Sequence, residues 1–244
     1  MPEGPSIVIL REETIQFVGK KVLAVEGNAK IDLERIHGQI ITAITNWGKQ
    51  YLICFKEFTI RIHLLMWGSY RINERKDLKP RLSLTMKNGE LNFYSCSVKL
   101  LEGDVNQYYE WSADVMNDHW SPQKAKQKLE AKPDRMICDA LLEQEIFSGV
   151  GNIIKNEVLY RTRVHPETRV GDIPTSKLDE IIREARNYSF EFMEWKKNYE
   201  LKKHWLVYNH KICKRCDLPI TRKHTGVKNR RSFFCINCQQ LYHE

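Results

Sequence analysis

Four cysteines near the end of the chain constrain its fold more than any other feature. They form two C-x2-C pairs, Cys213 with Cys216 and Cys235 with Cys238, separated by 18 residues. Two thiolates at this spacing can reach one ion, and two such pairs complete the tetrahedral ligand set of a structural zinc site. The spacing therefore predicts structural zinc, with chance pairs or a redox C-x2-C motif as the alternative.

The interval between the two pairs is rich in cations. A metal-braced hairpin with such a composition is suited to binding phosphate. The cationic residues of the interval are Arg222, Lys223, His224, Lys228, Arg230 and Arg231.

Composition favours a globular protein with a polyanionic partner. The 244 residues carry 39 Lys and Arg against 31 Asp and Glu, a net charge of +8. Such a charge favours nucleic acid through long-range attraction, with a generally lysine-rich surface as the alternative. No window of ~18 apolar residues predicts a membrane span. Three lone cysteines in apolar segments, at positions 54, 96 and 138, fit a reducing cytoplasmic location.

The hydrophobic pattern changes once along the chain. Residues 6–18 predict a short helix with Ser6 as its N-cap. Apolar residues then alternate with period two, and Asn88-Gly89 predicts a type I′ turn between two strands. Farther along, the apolar spacing becomes helical. We predict an α+β fold with three domains: residues 1–115 with a helix and an antiparallel sandwich or barrel, residues 116–204 with helices, and residues 205–244 with the zinc hairpin.

A glycine-rich turn separates two helical segments of the second half. Gly149 and Gly151 precede Asn152 and Lys155, so the turn directs the first amides of the following helix outward. Helix N-termini bind anions, and the Asn152 side chain adds a donor. A corner with glycines for close helix packing is the alternative. The basic zinc hairpin elsewhere in the sequence favours the anion site.

Five motifs follow one another along the chain. They are MPEGP at 1–5, WGKQYL at 47–52, HLLMWGSYR at 63–71, FSGVGNIIKNEVLY at 147–160 and NRRSFFCINCQ at 229–239. Together they resemble the family of formamidopyrimidine-DNA glycosylases and endonuclease VIII over nearly the whole chain. The resemblance implies a β-sandwich after the first helix, a helix–two-turn–helix segment and a zinc hairpin. It also implies a DNA glycosylase and AP lyase of base excision repair, a nucleoid-associated monomer that binds damaged double-stranded DNA.

The resemblance assigns catalytic roles to four residues. After removal of the initiator methionine, the amine of Pro2 attacks C1′ of the damaged nucleotide and forms a Schiff base; an α-amino group has a pKa of ~7.7–8.0, so a useful fraction is neutral near pH 7. Glu3 is the neighbouring acid. Lys49 contacts the phosphate beside the lesion and assists catalysis. Arg230 grips the phosphate around the extruded nucleotide.

The resemblance also implies which residues contact DNA. An extruded base leaves a gap that apolar side chains fill, and we expect Met66 to be the filler with Leu65 or Trp67 beside it; core packing of all three is the alternative. Asn152 matches the phosphate-binding asparagine of the family. The full set of expected DNA contacts is Leu65, Met66, Trp67, Gly149, Gly151, Asn152 and Lys155.

Two segments and two substitutions bear on specificity. Residues 93–103, FYSCSVKLLEG, resemble the endonuclease VIII branch, and residues 197–212 are short for the mobile loop that covers 8-oxoguanine. Both favour oxidised pyrimidines or ring-opened bases, with a formamidopyrimidine and 8-oxoguanine activity as the alternative. The resemblance also implies strand cleavage by β,δ-elimination. Ser6 replaces a family glutamate, and Asn229 replaces a glycine. A damage-binding protein with little turnover and a sequence-specific helix–turn–helix regulator are the remaining alternatives.

Overall fold

The computed structural model of the protein describes residues 2–243. They divide into two compact units, Met1–Tyr109 and Glu110–Glu244. The helices of the second half and the cysteine hairpin both belong to the second unit, and the division into three domains stays a prediction. Across the described residues, no helix is long and apolar enough to span a bilayer.

The first unit consists of a helix and two antiparallel four-stranded sheets. The helix is α1 (Gly4–Thr14). The strand order is β1-β6-β7-β5 in one sheet and β2-β3-β4-β8 in the other. The strands are β1 (Val22–Glu26), β2 (Ala43–Trp47), β3 (Gln50–Cys54), β4 (Phe58–His63), β5 (Ser69–Ile72), β6 (Leu82–Met86), β7 (Gly89–Tyr94) and β8 (Ser97–Glu102).

The two sheets share one apolar core. Tyr51 of β3 and Phe93 of β7 are both buried, and their ring centroids are 5.6 Å apart across the two sheets. Ile7 and Leu10 of α1 enter the same core. This arrangement confirms the sandwich that the resemblance implied, because side chains from both sheets and the helix fill one interior.

Two local predictions in this unit are wrong by one to three residues. The helix begins at Gly4, with Glu3 as its N-cap, so Ser6 lies inside the first turn. The first turn of a helix favours proline because the fixed φ of proline suits it, and Pro5 lies in this turn. The helix therefore begins earlier than the apolar pattern predicts. In the β6–β7 hairpin, Met86 pairs with Gly89, so the loop comprises residues 87 and 88, one residue earlier than the predicted type I′ turn.

The second unit contains four helices and a β-hairpin. Its core is built mainly from buried apolar side chains of the helices and the turns between them. Helix α4 packs against both α5 and strand β10, and this contact places the hairpin. The elements are α2 (Pro122–Glu130), α3 (Ile137–Ala140), α4 (Asn152–Arg161), α5 (Thr175–Lys197), β9 (Thr221–Thr225) and β10 (Arg230–Phe234).

Candidate functional site

An acidic residue, Glu3, follows Pro2 in the sequence and caps the start of α1. Glu3 has extended backbone angles, with φ −119° and ψ 174°, and its side chain is buried. Ser6 N donates to the Glu3 carbonyl oxygen at 2.9 Å, which begins the helical turn. Pro2 itself is half-buried. The structure therefore places a carboxylate one residue from the predicted nucleophile, at the positive end of a helix.

Lys49 lies in the tight turn between β2 and β3. Trp47 pairs with Gln50, and Gly48 has φ +51°, so the turn is two residues long. Gln50 also pairs with His63 of β4. Burial and the nearby charges of Lys49 and Arg61 lower the pKa of His63. The hairpin thus presents its lysine beside an imidazole whose neutral form is favoured near pH 7.

Three consecutive apolar side chains stand out from the turn after β4. Leu65 is 50% exposed, Met66 52% and Trp67 84%. Gly68 N donates to Leu64 O at 2.7 Å and closes the turn. A Cβ on Gly68 would lie 2.1 Å from that oxygen, so only glycine fits. These residues lie where β4 passes into a turn, and core packing does not account for their exposure.

The turn also has a left-handed residue and a histidine contact. Leu65 has φ +55°, a conformation that costs an ordinary side chain on the order of 1 kcal/mol. Its amide donates to His63 Nδ1 at 3.2 Å. The neutral imidazole favoured by the lowered pKa is the form that can accept this bond. The exposed apolar residues are therefore held in a preformed turn.

The glycine turn before α4 is organised by a glutamine that sequence reasoning did not single out. Gly149 has φ +100°, and its amide donates to Gln144 Oε1 at 3.2 Å. Gln144 Nε2 in turn donates to the carbonyl oxygens of Leu142 and Val150, each at 3.1 Å. Gly151 is the N-cap of α4. The turn predicted from the two glycines is present, and the Gln144 side chain bonds to the backbone of both Gly149 and Val150.

Polar residues on the first turns of α4 bind strand β10. Asn152 Nδ2 donates to Arg231 O at 3.0 Å, and Phe233 N donates to Asn156 Oδ1 at 2.8 Å. Asn152 and Asn156 are 6% and 2% exposed, and Asn152 Oδ1 has no partner among the described residues. The predicted phosphate ligand Asn152 thus already spends one donor on the hairpin, and its second amide hydrogen is the one left for a phosphate.

Lys155 occupies a different environment from the DNA surface expected for it. The side chain is fully buried, and Nζ donates to Ser232 Oγ at 2.8 Å. Ser232 Oγ lies 2.6 Å from Thr225 Oγ1 on the opposite strand. Contact with DNA would require the ammonium to leave these partners, so in this structure Lys155 belongs to the helix–hairpin junction. Its position in the motif could not reveal this, because its partner is 77 residues away.

Arg230 is the first residue of β10 and pairs with Thr225 of β9. Its side chain is half-buried. The preceding residue, Asn229, has φ +48°, and asparagine tolerates this left-handed conformation better than most residues other than glycine. The Asn229 carbonyl oxygen lies 2.8 Å from His224 Nδ1. Asparagine therefore supplies the backbone conformation for which glycine is the usual choice.

The four cysteines of the two pairs form one cluster. All four Sγ atoms lie within 4.8 Å of one another, and neighbouring sulfurs are 3.4, 3.5 and 3.7 Å apart. A tetrahedral ion with Zn–S bonds of ~2.3 Å separates its sulfurs by about 3.8 Å. The cluster therefore fits one tetrahedral metal ion, which agrees with the predicted ligand set of Cys213, Cys216, Cys235 and Cys238.

A buried glutamate of α4 binds the segment that leads into the first cysteine pair. Glu157 is fully buried and accepts backbone N–H groups from Leu206, Val207 and Tyr208 at 2.8 to 3.0 Å. Burial raises the pKa of Glu157, while the three amides oppose that rise. Sequence reasoning missed this residue because its partners lie about 50 residues away, although the motif that contains it was recognised.

Comparison with known proteins identifies the two parts of the chain. The model described as "Formamidopyrimidine-DNA glycosylase N-terminal domain" matches residues 1–96, and "Formamidopyrimidine-DNA glycosylase H2TH domain" matches residues 112–197. The structure superposes on that of Lactococcus lactis formamidopyrimidine-DNA glycosylase bound to DNA containing an AP site, with a TM-score of 0.86 and 22% identity over 98% of this chain and 99% of that one. The chain belongs to the formamidopyrimidine-DNA glycosylase and endonuclease VIII family.

Two curated relatives illustrate the range of the family. "Endonuclease 8-like 3" of Mus musculus is 30% identical over 217 residues, which cover 85% of this chain and 36% of the relative. "DNA-(apurinic or apyrimidinic site) lyase Nei2" of Mycolicibacterium smegmatis is 26% identical over 183 residues, 71% of each chain. The chain thus spans little more than a third of the mouse relative.

Proposed function

We propose that this member of the formamidopyrimidine-DNA glycosylase family removes oxidised bases from double-stranded DNA and cuts the strand at the abasic site. It acts as a monomer, and its nucleophile is the secondary amine of Pro2, freed when Met1 is removed. One observation carries the proposal: Glu3, the residue after Pro2, is the N-cap of α1 and is fully buried, while Pro2 is half-buried. The names of the relatives, an endonuclease and an abasic-site lyase, support the reaction class.

The proposed chemistry needs one amine and one acid. The Pro2 nitrogen attacks C1′ as the N-glycosidic bond breaks, and the base leaves with the bonding electrons and takes up the proton that the amine loses. Glu3 protonates the deoxyribose ring oxygen, so that the ring opens to an iminium between Pro2 and C1′. Loss of a C2′ proton then expels the 3′ phosphate, and a second elimination expels the 5′ phosphate. Water hydrolyses the iminium and restores the free amine.

DNA binding in this proposal uses donors from both units. Lys49 and Arg230 neutralise phosphates, and Asn152 donates its second amide hydrogen to another. The exposed turn that carries Met66 supplies apolar surface for the gap left by an extruded base, because its side chains are already out of the core. A net charge of +8 strengthens binding at low salt.

The cysteine cluster holds zinc in a structural role. Four thiolates complete the tetrahedral coordination, so the set has no position for a reactive water. The ion joins the segment that precedes β9 to the segment that follows β10. It therefore braces the hairpin that carries Arg230.

Two segments support oxidised pyrimidines as the preferred lesions. Residues 93–103 form the end of β7, a tight turn with Ser95 at φ +51°, and strand β8, so no long loop is inserted there. In the second unit, the segment before the first cysteine is short and bonded to Glu157 through residues 206–208. Neither segment supplies a long loop over a purine lesion. We therefore assign pyrimidine lesions ahead of 8-oxoguanine.

Nicking of defined substrates tests the proposal. The panel comprises thymine glycol, dihydrouracil, 8-oxoguanine, formamidopyrimidine and a natural abasic site, each in single-stranded and duplex DNA. We expect cleavage and borohydride trapping on the abasic site and the oxidised pyrimidines. A protein with an extension left on Pro2, whose nitrogen is then an amide, should neither trap nor cut. Equal trapping by the extended and the processed protein contradicts the amine mechanism.

A damage-binding protein with little turnover is the second candidate, because Ser6 stands buried in the first turn of α1 where the family pattern has a glutamate. It predicts tight binding to an abasic analogue without nicking of a natural abasic site. Glu3→Gln separates the steps for an active enzyme, since it keeps the amine and removes the acid. We expect this variant to keep trapping on a preformed abasic site and to lose base excision by about 100-fold or more.

A further inference from the structure

The turn of the hairpin that carries Arg230 is held by a buried carboxylate from the helical part of its own unit. Asp139 of α3 is 3% exposed. Its Oδ2 accepts the Val227 amide hydrogen at 2.6 Å, and its Oδ1 accepts that of Lys228 at 3.1 Å. Hydrogen bonds from backbone amides to an ionised carboxylate are among the stronger ones in proteins. Both oxygens of one side chain are thus committed to two consecutive residues of the turn.

The turn is shaped around this carboxylate. Gly226 has φ +68°, and a Cβ built on it would lie 2.3 Å from Asp139 Oδ2. Any side chain at position 226 would therefore displace the carboxylate. Asn229 N donates to Gly226 O at 3.2 Å and closes the turn immediately before Arg230. Glycine at this position serves a close approach as well as a backbone conformation.

Other contacts fix the hairpin farther along β10. The buried ammonium of Lys155 binds Ser232, and the Asn156 side chain binds the Phe233 amide. The metal ligand Cys235 follows the end of the strand. Arg230 therefore lies between two fixed points, the turn held by Asp139 and the strand held by α4. The strand contacts and the metal do not reach the turn amides.

We propose that Asp139 is a positioning residue that acts through the hairpin turn to set the place of Arg230. The inference rests on the proposed function, in which Arg230 grips a phosphate. Loss of the carboxylate releases two turn amides to water and lets the first residue of β10 sample more positions. The strand pairing, the α4 contacts and the cysteine cluster remain, so the hairpin keeps its metal while its grip on DNA loosens.

The test combines four variants with a matched control. Asp139→Ala removes both acceptors, and Asp139→Asn keeps one. Gly226→Ala pushes the carboxylate away without changing any charge, and Arg230→Ala removes the phosphate ligand. Asp134→Asn is the control, because it removes an equal charge from a side chain that is 95% exposed. Its ion pair with Arg169 is long, at 4.0 Å, and exposed, so its loss should cost little.

Hydrogen exchange in the DNA-free protein reports the anchor itself. We expect the Val227 and Lys228 amides to be protected in the unchanged protein and to exchange at least about 10-fold faster in Asp139→Ala and Gly226→Ala. Zinc content should stay at one ion per chain. Unchanged protection of the two amides overturns the proposal, and so does loss of zinc from both Asp139 variants, because the carboxylate would then be needed for folding.

DNA binding reports the action through Arg230. With a duplex that contains a tetrahydrofuran abasic analogue, Asp139→Ala should weaken binding about 10-fold, but less than about 2-fold when Arg230→Ala is already present. Equal losses in both backgrounds overturn the proposal. Asp139→Asn should fall between the unchanged protein and Asp139→Ala. If the unchanged protein neither binds nor cuts DNA, the proposed function fails, while hydrogen exchange still decides whether Asp139 anchors the turn.

Discussion

The predicted catalytic residues Pro2 and Glu3 directly precede helix α1, and Arg230 lies in the cysteine hairpin. The two elements are held in place by different balances of contacts. Helix α1 buries Ile7 and Leu10 in the sandwich core, and the Thr14 hydroxyl lies 2.6 Å from the buried Tyr51 hydroxyl. The hairpin also buries Phe233 and Phe234, but it depends in addition on buried polar groups and a metal site. Apolar burial is non-directional, whereas hydrogen bonds and thiolate ligands fix both distance and angle.

The difference reflects the sizes of the two elements. A two-stranded hairpin has too little apolar surface to be stable alone, so it needs a staple. The sandwich buries whole strands on their inner faces and needs none. The residue proposed to attack the sugar precedes a helix that is placed by packing. The residue proposed to grip phosphate is placed by directional contacts, which are easier to disturb one at a time.

Removal of the metal should have the largest effect, and that effect should fall on the hairpin. Chelation of the ion should unfold the hairpin and weaken DNA binding by at least about 100-fold, because structural zinc sites contribute on the order of 10 kcal/mol to the folding of small domains. The unfolding transition of the sandwich, followed through Trp47 fluorescence, should stay. Cys96→Ser is the control: the thiol is buried in the sandwich, burial raises its pKa to about 11, and zinc content should be unchanged.

Truncation in α1 should come next. Leu10→Ala should lower the free energy of unfolding of the sandwich by about 2–5 kcal/mol, because it leaves a cavity at a fully buried position. Tyr51→Phe should cost only about 1 kcal/mol, since Thr14 keeps its bond to the Leu10 carbonyl oxygen. Denaturant titration gives both values. A larger loss for Tyr51→Phe would mean that polar contacts, not apolar burial, hold α1.

The pH dependence of Glu157 tests which influence dominates at a buried carboxylate. Burial raises its pKa above the unfolded value of about 4.3. A raised pKa means that the folded protein favours the protonated carboxyl. The stability that this preference contributes is fully present below the unfolded pKa and is lost as pH rises through the folded pKa. The unfolding free energy of the unchanged protein, relative to Glu157→Gln, should therefore fall between pH 4 and pH 7. A rise in this free energy over the same range would show that the hydrogen bonds from the three amides outweigh burial and lower the pKa of Glu157.

Glu110 should show the smallest effect. Hydrogen bonds from Lys128 and then Ser112 lower its pKa to about 2. Its contribution is present above the unfolded pKa and is lost as pH falls toward about 2. Because the side chain is 45% exposed, solvent screens the pair, and Glu110→Gln should change the free energy of unfolding by less than about 0.5 kcal/mol. Melting temperatures measured across pH 2–6 check this value, and a shift above about 2 °C contradicts it.

Features with a local sequence signal could be predicted, whereas contacts between residues far apart in the sequence could not. The cysteine set, the two glycines of the second half and the alternating strands could be predicted because their signals are local. The start of α1 at Gly4 was missed because proline, not the apolar pattern, sets it. Asp139 and Glu157 could not be found, since each binds backbone amides about 50 or 90 residues away, and backbone amides leave no mark on the sequence. Burial of Lys155 was hidden because its partner, the Ser232 hydroxyl, lies 77 residues away.

Mapping of the trapped adduct tests the central claim most directly. The processed protein is reduced with borohydride in the presence of DNA that contains a natural abasic site, digested with protease and nuclease, and analysed by mass spectrometry. The account predicts a deoxyribose-derived mass on the peptide that begins with Pro2, attached to its nitrogen. An adduct on Lys49 or another lysine, with Pro2 unmodified, contradicts it.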